Sequence, residues 1–328
     1  MTTQLATPTE PSTLQRSFSD ARKLSFWAEH AAPVGLVVLV VVFTILTPNF
    51  LTIGNIQAML LAAAILVILG VAQAFVITTG GIDLSIAATM TVAAIGFGLA
   101  WEAGLGFPVS VVAAFVAGGA IGVLNGFLIA RGKVTDFIAT LGTLSVATGL
   151  ALILSDGKPI TVNSSELLNL TTGSFAGLGY PIIIAGVVGV VAWLVMFRTR
   201  FGLHVQAVGG SEESSVANGL SATRVRIAVY VISGFLAALA ALLLVARVGA
   251  AEPAVNTAYL LNSIAAVVLG GVALTGGKAK IVGPILGAFL LTALTNGLTL
   301  LNVSTFYQPF AVGLVVVLAA LLTRFQTK

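Results

Sequence analysis

Cysteine is absent from the sequence, so neither a disulfide nor a thiolate metal site can form. Histidine occurs twice, at His30 and His204, too sparse and too widely separated for a metal centre. Charge is scarce as well. Charged residues make up 8% of the chain, against about 25% in an ordinary soluble domain. No Gly-x-x-x-x-Gly-Lys-Ser/Thr phosphate loop occurs, so any nucleotide hydrolysis that serves this chain belongs to another polypeptide. A basic n-region running straight into a short apolar core and a small-residue cleavage site is also missing, and no cleaved signal peptide is expected.

What remains is hydrophobic. Apolar residues fill 58% of the 328 positions, and mean hydropathy is +1.10. A surface built from this composition would carry large apolar patches in water, so lipid is the solvent it fits. A crossing needs roughly 20 apolar residues. Ten runs approach that length, at 32–47, 56–79, 84–101, 108–130, 137–154, 181–197, 225–246, 258–275, 281–301 and 306–323. The fold expected is therefore an all-α polytopic membrane protein of about ten transmembrane helices.

The basic residues orient it. With the N-terminus inside, all but Lys158 and Arg247 of the 15 lysines and arginines fall on the cytoplasmic side, a strong positive-inside bias. Both termini are then cytoplasmic, and the basic pI reports topology rather than a nucleic-acid partner. Residues 1–30 read as a polar cytoplasmic tail and 31–328 as a single transmembrane domain. In the tail, Phe18, Phe26 and Trp27 beside Arg22 and Lys23 fit a short interfacial helix as well as a disordered segment with an aromatic anchor. Small residues at Gly118, Gly119 and Gly122, at Gly186 and Gly189, and at Gly283 and Gly287 suit close helix–helix contact.

Three places interrupt the apolar pattern. In Thr78-Thr79-Gly80-Gly81-Ile82-Asp83-Leu84-Ser85 the glycines end one helix, and Asp83 or Ser85 caps the next. This is either a plain cytoplasmic turn or a broken helix lining a substrate path. The second is a polar segment, Arg198–Arg226. Within it Ser211 is a good N-cap, Glu212 and Glu213 suit the positive end of a helix, and Gly219 suits the residue after its end. Such a short helix needs something to dock against; the bland reading is an ordinary surface loop. The third is Thr275-Gly276-Gly277-Lys278-Ala279-Lys280. Polar residues inside spans, Gln73, Thr89, Asn125, Thr140, Asn262 and Asn296, can touch a passing solute or bridge helices. Outside, Arg247 and Glu252 could seat a partner, and a snorkelling arginine is the bland reading.

At these residues the chain resembles the membrane permeases of ribose-type sugar ABC importers. The likeness rests on Leu46-Thr47-Pro48-Asn49-Phe50, Gly80-Gly81-Ile82-Asp83-Leu84-Ser85, Asp136-Phe137-Ile138-Ala139-Thr140-Leu141, the Glu212 segment, and Ala265–Gly271 running on to Gly276-Gly277-Lys278. It implies a type II-importer-like bundle in the bacterial inner membrane and no enzymatic activity of the chain's own. It implies that Gly210, Ser211, Glu212, Glu213, Ala217 and Gly219 belong to a coupling helix that docks on an ATPase subunit. The family commonly has Asn before the Glu and Gly-Ile at the end, where this chain has Ser211 and Gly219-Leu220. The partners implied are a cytoplasmic ABC ATPase, an extracytoplasmic sugar-binding protein and a second permease copy, identical or paralogous. ATP and Mg would be bound by the ATPase and no cofactor by this chain. Gln73, Asp83, Ser85, Asn125, Thr140, Asn262 and Asn296 are the expected translocation path, and Arg247 and Glu252 the expected docking residues. Two rivals are an ion-coupled secondary transporter, which usually carries intramembrane carboxylates or histidines, and a non-transporting scaffold or receptor.

Overall fold

The structure, a computed structural model, describes residues 31–255 and 257–323, so the interfacial-helix reading of Phe18–Trp27 lies outside the described residues. In chain order the principal helices are α1 (Ala31–Leu46), α2 (Ile53–Thr78), α3 (Ile86–Glu102), α4 (Gly106–Ala130) and α5 (Asp136–Leu154). After them come the short α6 (Ser165–Thr172), α7 (Tyr180–Arg198), α8 (Arg200–Gly210), α9 (Glu212–Ala217) and α10 (Ala222–Val248). The chain ends in α11 (Thr257–Leu269), α12 (Val282–Leu300) and α13 (Gln308–Thr323). Among the described residues six of these, α2, α4, α5, α7, α10 and α12, are long and apolar enough to cross a bilayer, and the apolar α1, α3, α11 and α13 are shorter.

Burial follows from hydrophobicity all round. Helix α2 has no polar face, and every residue from Ala63 to Thr78 is buried, so it forms the axis of the bundle. Around it α5, α7 and α13 turn Ile138, Val146, Ile153, Val190, Phe310 and Val317 outward. Such apolar exteriors suit hydrocarbon, not water.

Small residues set the tightest contacts. A Cβ on Gly122 would stand 2.5 Å from the Tyr230 carbonyl oxygen, and one on Gly118 would stand 2.6 Å from that of Gly234. The expected small face of α4 is therefore packed, backbone to backbone, against α10. Gly283 and Gly287 do the same against Gly270 and Ala266, bringing α12 onto α11. Gly186 meets nothing within 4 Å, whereas Gly189 faces Ile285.

One span is shorter than its hydrophobicity suggests. The run 258–275 is helical only to Leu269, because Gly271 takes a left-handed φ of +73° and Val272 N–H turns back to Val267 O at 3.2 Å. The remaining residues of that run are not helical.

The end of the bundle that holds the 155–180 segment carries structure that periodicity does not announce. Strand β1 (Ile160–Thr161) pairs antiparallel with β4 (Ala250–Ala251), and β2 (Ser174–Phe175) pairs with β3 (Leu178–Gly179). Ser164 caps α6 by accepting from Leu167 N–H at 3.3 Å while donating to Glu166 Oε2 at 2.7 Å. That hydroxyl, with the local backbone N–H and Ser165, holds the Glu166 carboxyl below its ordinary range.

Candidate translocation and coupling sites

The three interruptions of the hydrophobic pattern lie far apart in sequence and meet in space. Gly277 N–H donates to Thr78 O at 2.9 Å, across the end of α2. Gly209, near the end of α8, packs on that same Thr78 carbonyl so closely that no Cβ would fit. A Cβ on Gly276 would stand 2.6 Å from Gly80 N and 2.9 Å from Gly209 O. Gly80, Gly276 and Gly277 have φ of +78°, +81° and +82°, so glycine supplies the conformation as well as the space.

Beyond this junction the expected path residues divide into two groups. Asp83, Ser85, Gln73 and Asn125 are buried in one hydrogen-bonded cluster. Asp83 Oδ1 accepts from Ser85 N–H at 2.9 Å and from Ser85 Oγ at 2.7 Å, and Oδ2 accepts from Ser233 Oγ at 2.8 Å. Gln73 Nε2 donates to Asp83 O at 2.6 Å. Asn125 Nδ2 donates to Ser85 Oγ at 2.8 Å and Thr143 Oγ1 donates to Asn125 Oδ1 at 2.6 Å. Thr140 sits at the edge, its hydroxyl 3.4 Å from Ile82 O and 2.8 Å from Asp136 O. Polar groups removed from water need partners, and this cluster supplies them from α2, α4, α5, α10 and the start of α3 for all but Gln73 Oε1, which is buried without a hydrogen-bond partner. Thr89 bonds back to Ser85 O at 3.0 Å.

The second group faces open space. Asn262 and Asn296 line a cavity of about 390 Å³ with Arg247, Tyr259, Thr295 and Gln308. Asn55 and Asn296 exchange amide hydrogen bonds of 2.9 and 2.8 Å between α2 and α12. Arg247, in the last turn of α10, lies beside the Tyr259 hydroxyl at the mouth of this cavity. Glu252 is exposed just past β4 and is not among the cavity-lining residues. The two expected docking residues thus share an end of the bundle but face different surroundings.

The segment 198–226 forms two helices, not one. Thr199 caps α8 through Gly202 N–H at 3.3 Å, and Ser211 caps α9 through Ser214 N–H at 3.1 Å. Gly219 takes φ of +82° after α9. Gly210, Ser211, Glu213, Ala217 and Gly219 are exposed, Glu212 is half-buried, and Ser215 is the buried residue of α9. Glu212 Oε2 pairs with Arg226 Nη2 at 2.8 Å, and Lys133 stands 3.9 Å away. Arg226 Nη1 reaches Asp136 Oδ1 at 3.6 Å. The Tyr230 hydroxyl lies between the Asp136 carboxylate and Ile82 O, 3.2 Å from the latter. Tyr230 and Ser233 are readable in sequence only as span residues and Arg226 only as the last residue of the polar segment, although Arg226 with Asp136 at the head of α5 is a charge pairing that membrane burial alone would suggest.

A multi-pass apolar bundle with glycine-jointed polar breaks at one end and a polar cavity at the other is the architecture of a membrane transport permease. The chain belongs to the family described as branched-chain amino acid transport system / permease component, which it matches over residues 55–322. It is similar to the ribose import permease protein RbsC of Escherichia coli strain K12, 38% identical over 301 residues, 89% of this chain and 92% of that protein. The Bacillus subtilis strain 168 ribose import permease protein RbsC is 38% identical over 293 residues, covering 89% and 91%. The L-arabinose ABC transporter permease protein AraH of Azospirillum brasilense is 35% identical over 290 residues, covering 88% and 85%. No solved structure matches the chain significantly.

Proposed function

We propose that this chain is the membrane-spanning subunit of a binding-protein-dependent ABC importer that carries a monosaccharide inward across the bacterial cytoplasmic membrane. The observation that carries this reading is near full-length similarity to permeases named for ribose, L-arabinose and D-allose. All ten apolar helices, α1–α5, α7 and α10–α13, then cross the membrane, with both termini inside. The four shorter ones cross with help from flanking residues and local thinning of the bilayer. The partners are a cytoplasmic ATPase that binds ATP and Mg, a soluble sugar-binding protein outside, and a second permease copy of the same or a related sequence.

Helix α9 is the surface on which the ATPase docks. Its capped start, left-handed glycine exit and exposed Glu213, Ala217 and Gly219 support that reading. The cavity holding Asn262 and Asn296 is the outer part of the sugar path: amides, hydroxyls and a tyrosine offer donors, acceptors and an aromatic edge for a neutral polyol. Gln73, Asp83, Ser85, Asn125 and Thr140 serve the same path from inside, by fixing the chain where α2 breaks. Arg247 and Glu252 mark the face that receives the binding protein.

Reversing Glu212 and Glu213 together to Lys tests the coupling assignment. The membrane-inserted variant should no longer retain the ATPase or take up sugar. Normal uptake by that variant would count decisively against it.

A further inference from the structure

The chain of contacts running inward from α9 ends on a hydrogen bond with two alternatives. Arg226 bridges two carboxylates that belong to different helices. It holds Glu212 of α9 at 2.8 Å but Asp136 of α5 only at 3.6 Å. Short charge-assisted hydrogen bonds are roughly twice as strong as neutral ones and much stronger than a loose ion contact. When α9 shifts, Arg226 therefore follows Glu212 and leaves Asp136. The guanidinium and Asp136 side chains are 22% and 16% exposed, so the uncovered carboxylate is poorly compensated by water.

The Tyr230 hydroxyl stands beside that carboxylate, both bordering Gly81. A phenol has one proton; this one is donated to Ile82 O, and the Asp136 carboxylate beside it is a second possible acceptor. With Arg226 in place Asp136 is partly neutralised and the carbonyl can compete. Without it, the bare carboxylate becomes the better acceptor, and the phenol, keeping its proton, turns its hydrogen bond to it. Ile82 O then keeps only the long 3.4 Å approach of Thr140. Ile82 directly precedes Asp83, whose carbonyl and carboxylate are pinned to α2, α3 and α10. Release at Ile82 therefore frees the chain between the fixed Asp83 and the glycine junction at Gly80. There is room for that motion: a cavity of about 540 Å³ is lined by Gly80, Gly81, Ile82, Asp136, Glu212 and Arg226 among others.

We propose that Arg226 is a positioning residue for transport: by following α9 it decides whether Tyr230 holds the Ile82 carbonyl, and so whether the Gly80–Asp83 break is locked. The proposal rests on α9 being the ATPase-docking helix. Its readout is sugar moved per ATP hydrolysed by the complete transporter in proteoliposomes, compared only among monodisperse preparations. Arg226→Met and Tyr230→Phe should each lower that ratio about tenfold, within the usual range of coupling between sites. Arg226→Lys, whose single ammonium cannot span both carboxylates, should fall between them and the parent. An unchanged ratio in Tyr230→Phe, which keeps the fold by shape, would overturn the proposal even if Arg226→Met did not assemble. Ala217→Cys cross-linking to the ATPase separates the two claims. Cross-linking with an unchanged ratio defeats only the linkage; no cross-linking in the otherwise unaltered transporter defeats the docking assignment beneath it.

Discussion

Replacing Asp83 by Asn and by Ala distinguishes a structural carboxylate from a proton carrier. The side chain is 3% exposed and accepts three hydrogen bonds, from Ser85 N–H, Ser85 Oγ and Ser233 Oγ. Asparagine keeps Oδ1 for both Ser85 donors. Its amide nitrogen replaces Oδ2, and the Ser233 hydroxyl can rotate to accept. The net cost is about 1 kcal/mol, one ordinary hydrogen bond exchanged for another. Alanine leaves all three donors without their acceptor. The two hydroxyls can turn to helix carbonyls at about 1 kcal/mol each, but the Ser85 N–H cannot turn and costs about 1–3 kcal/mol. The total, about 3–5 kcal/mol, is a large part of the about 5–15 kcal/mol that holds a typical protein folded. Fluorescence-detected size exclusion after a heating series reads stability, and uptake in proteoliposomes reads function. Asp83→Asn should keep its monodisperse peak near the parent's midpoint and transport, while Asp83→Ala should lose the peak well below it. If Asp83→Asn folded but did not transport, the carboxylate would have a protonation role and the structural account of this cluster would be wrong.

Gly122→Leu should prevent α4 from seating on α10, at a cost above about 3 kcal/mol, because the Tyr230 carbonyl occupies the space a Cβ needs; the check is yield of monodisperse protein, with Gly186→Leu, which meets open space, as the tolerated control. Asn296→Leu removes both amide bonds to Asn55; about 1 kcal/mol of stability should go, and sugar uptake should fall much further than stability does, as measured by initial rates against sugar concentration. Arg247→Ala should weaken stimulation of ATP hydrolysis by the binding protein, and unchanged stimulation would remove Arg247 from the docking face.

The apolar helices are legible, six of them long enough among the described residues to cross a bilayer, because lipid imposes a simple demand on composition and length. Ser211 and Gly219 are equally legible, since capping and a left-handed exit are local chemistry that a few residues decide. The early end of α11 is harder. Its apolar run continues to Thr275, and only the left-handed Gly271 stops the helix. What sequence could not supply is which polar residues share a cluster. Gln73 and Asn125 resemble Asn262 and Asn296 as isolated polar residues in apolar runs. Packing alone sends the first two, with Asp83 and Ser85 of the polar break, into a hydrogen-bonded cluster and the last two to a cavity. The meeting of Gly80, Gly209 and Gly276 is likewise tertiary. Each belongs to a separate interruption of the apolar pattern, and nothing local says that the three touch.

Sugar import by the purified permease, reconstituted into proteoliposomes with its ATPase and binding protein, tests the central claim most directly. Uptake that requires ATP and both partners, and does not respond to a proton or sodium gradient, is the expected result. Uptake driven by an ion gradient with the permease alone would contradict it.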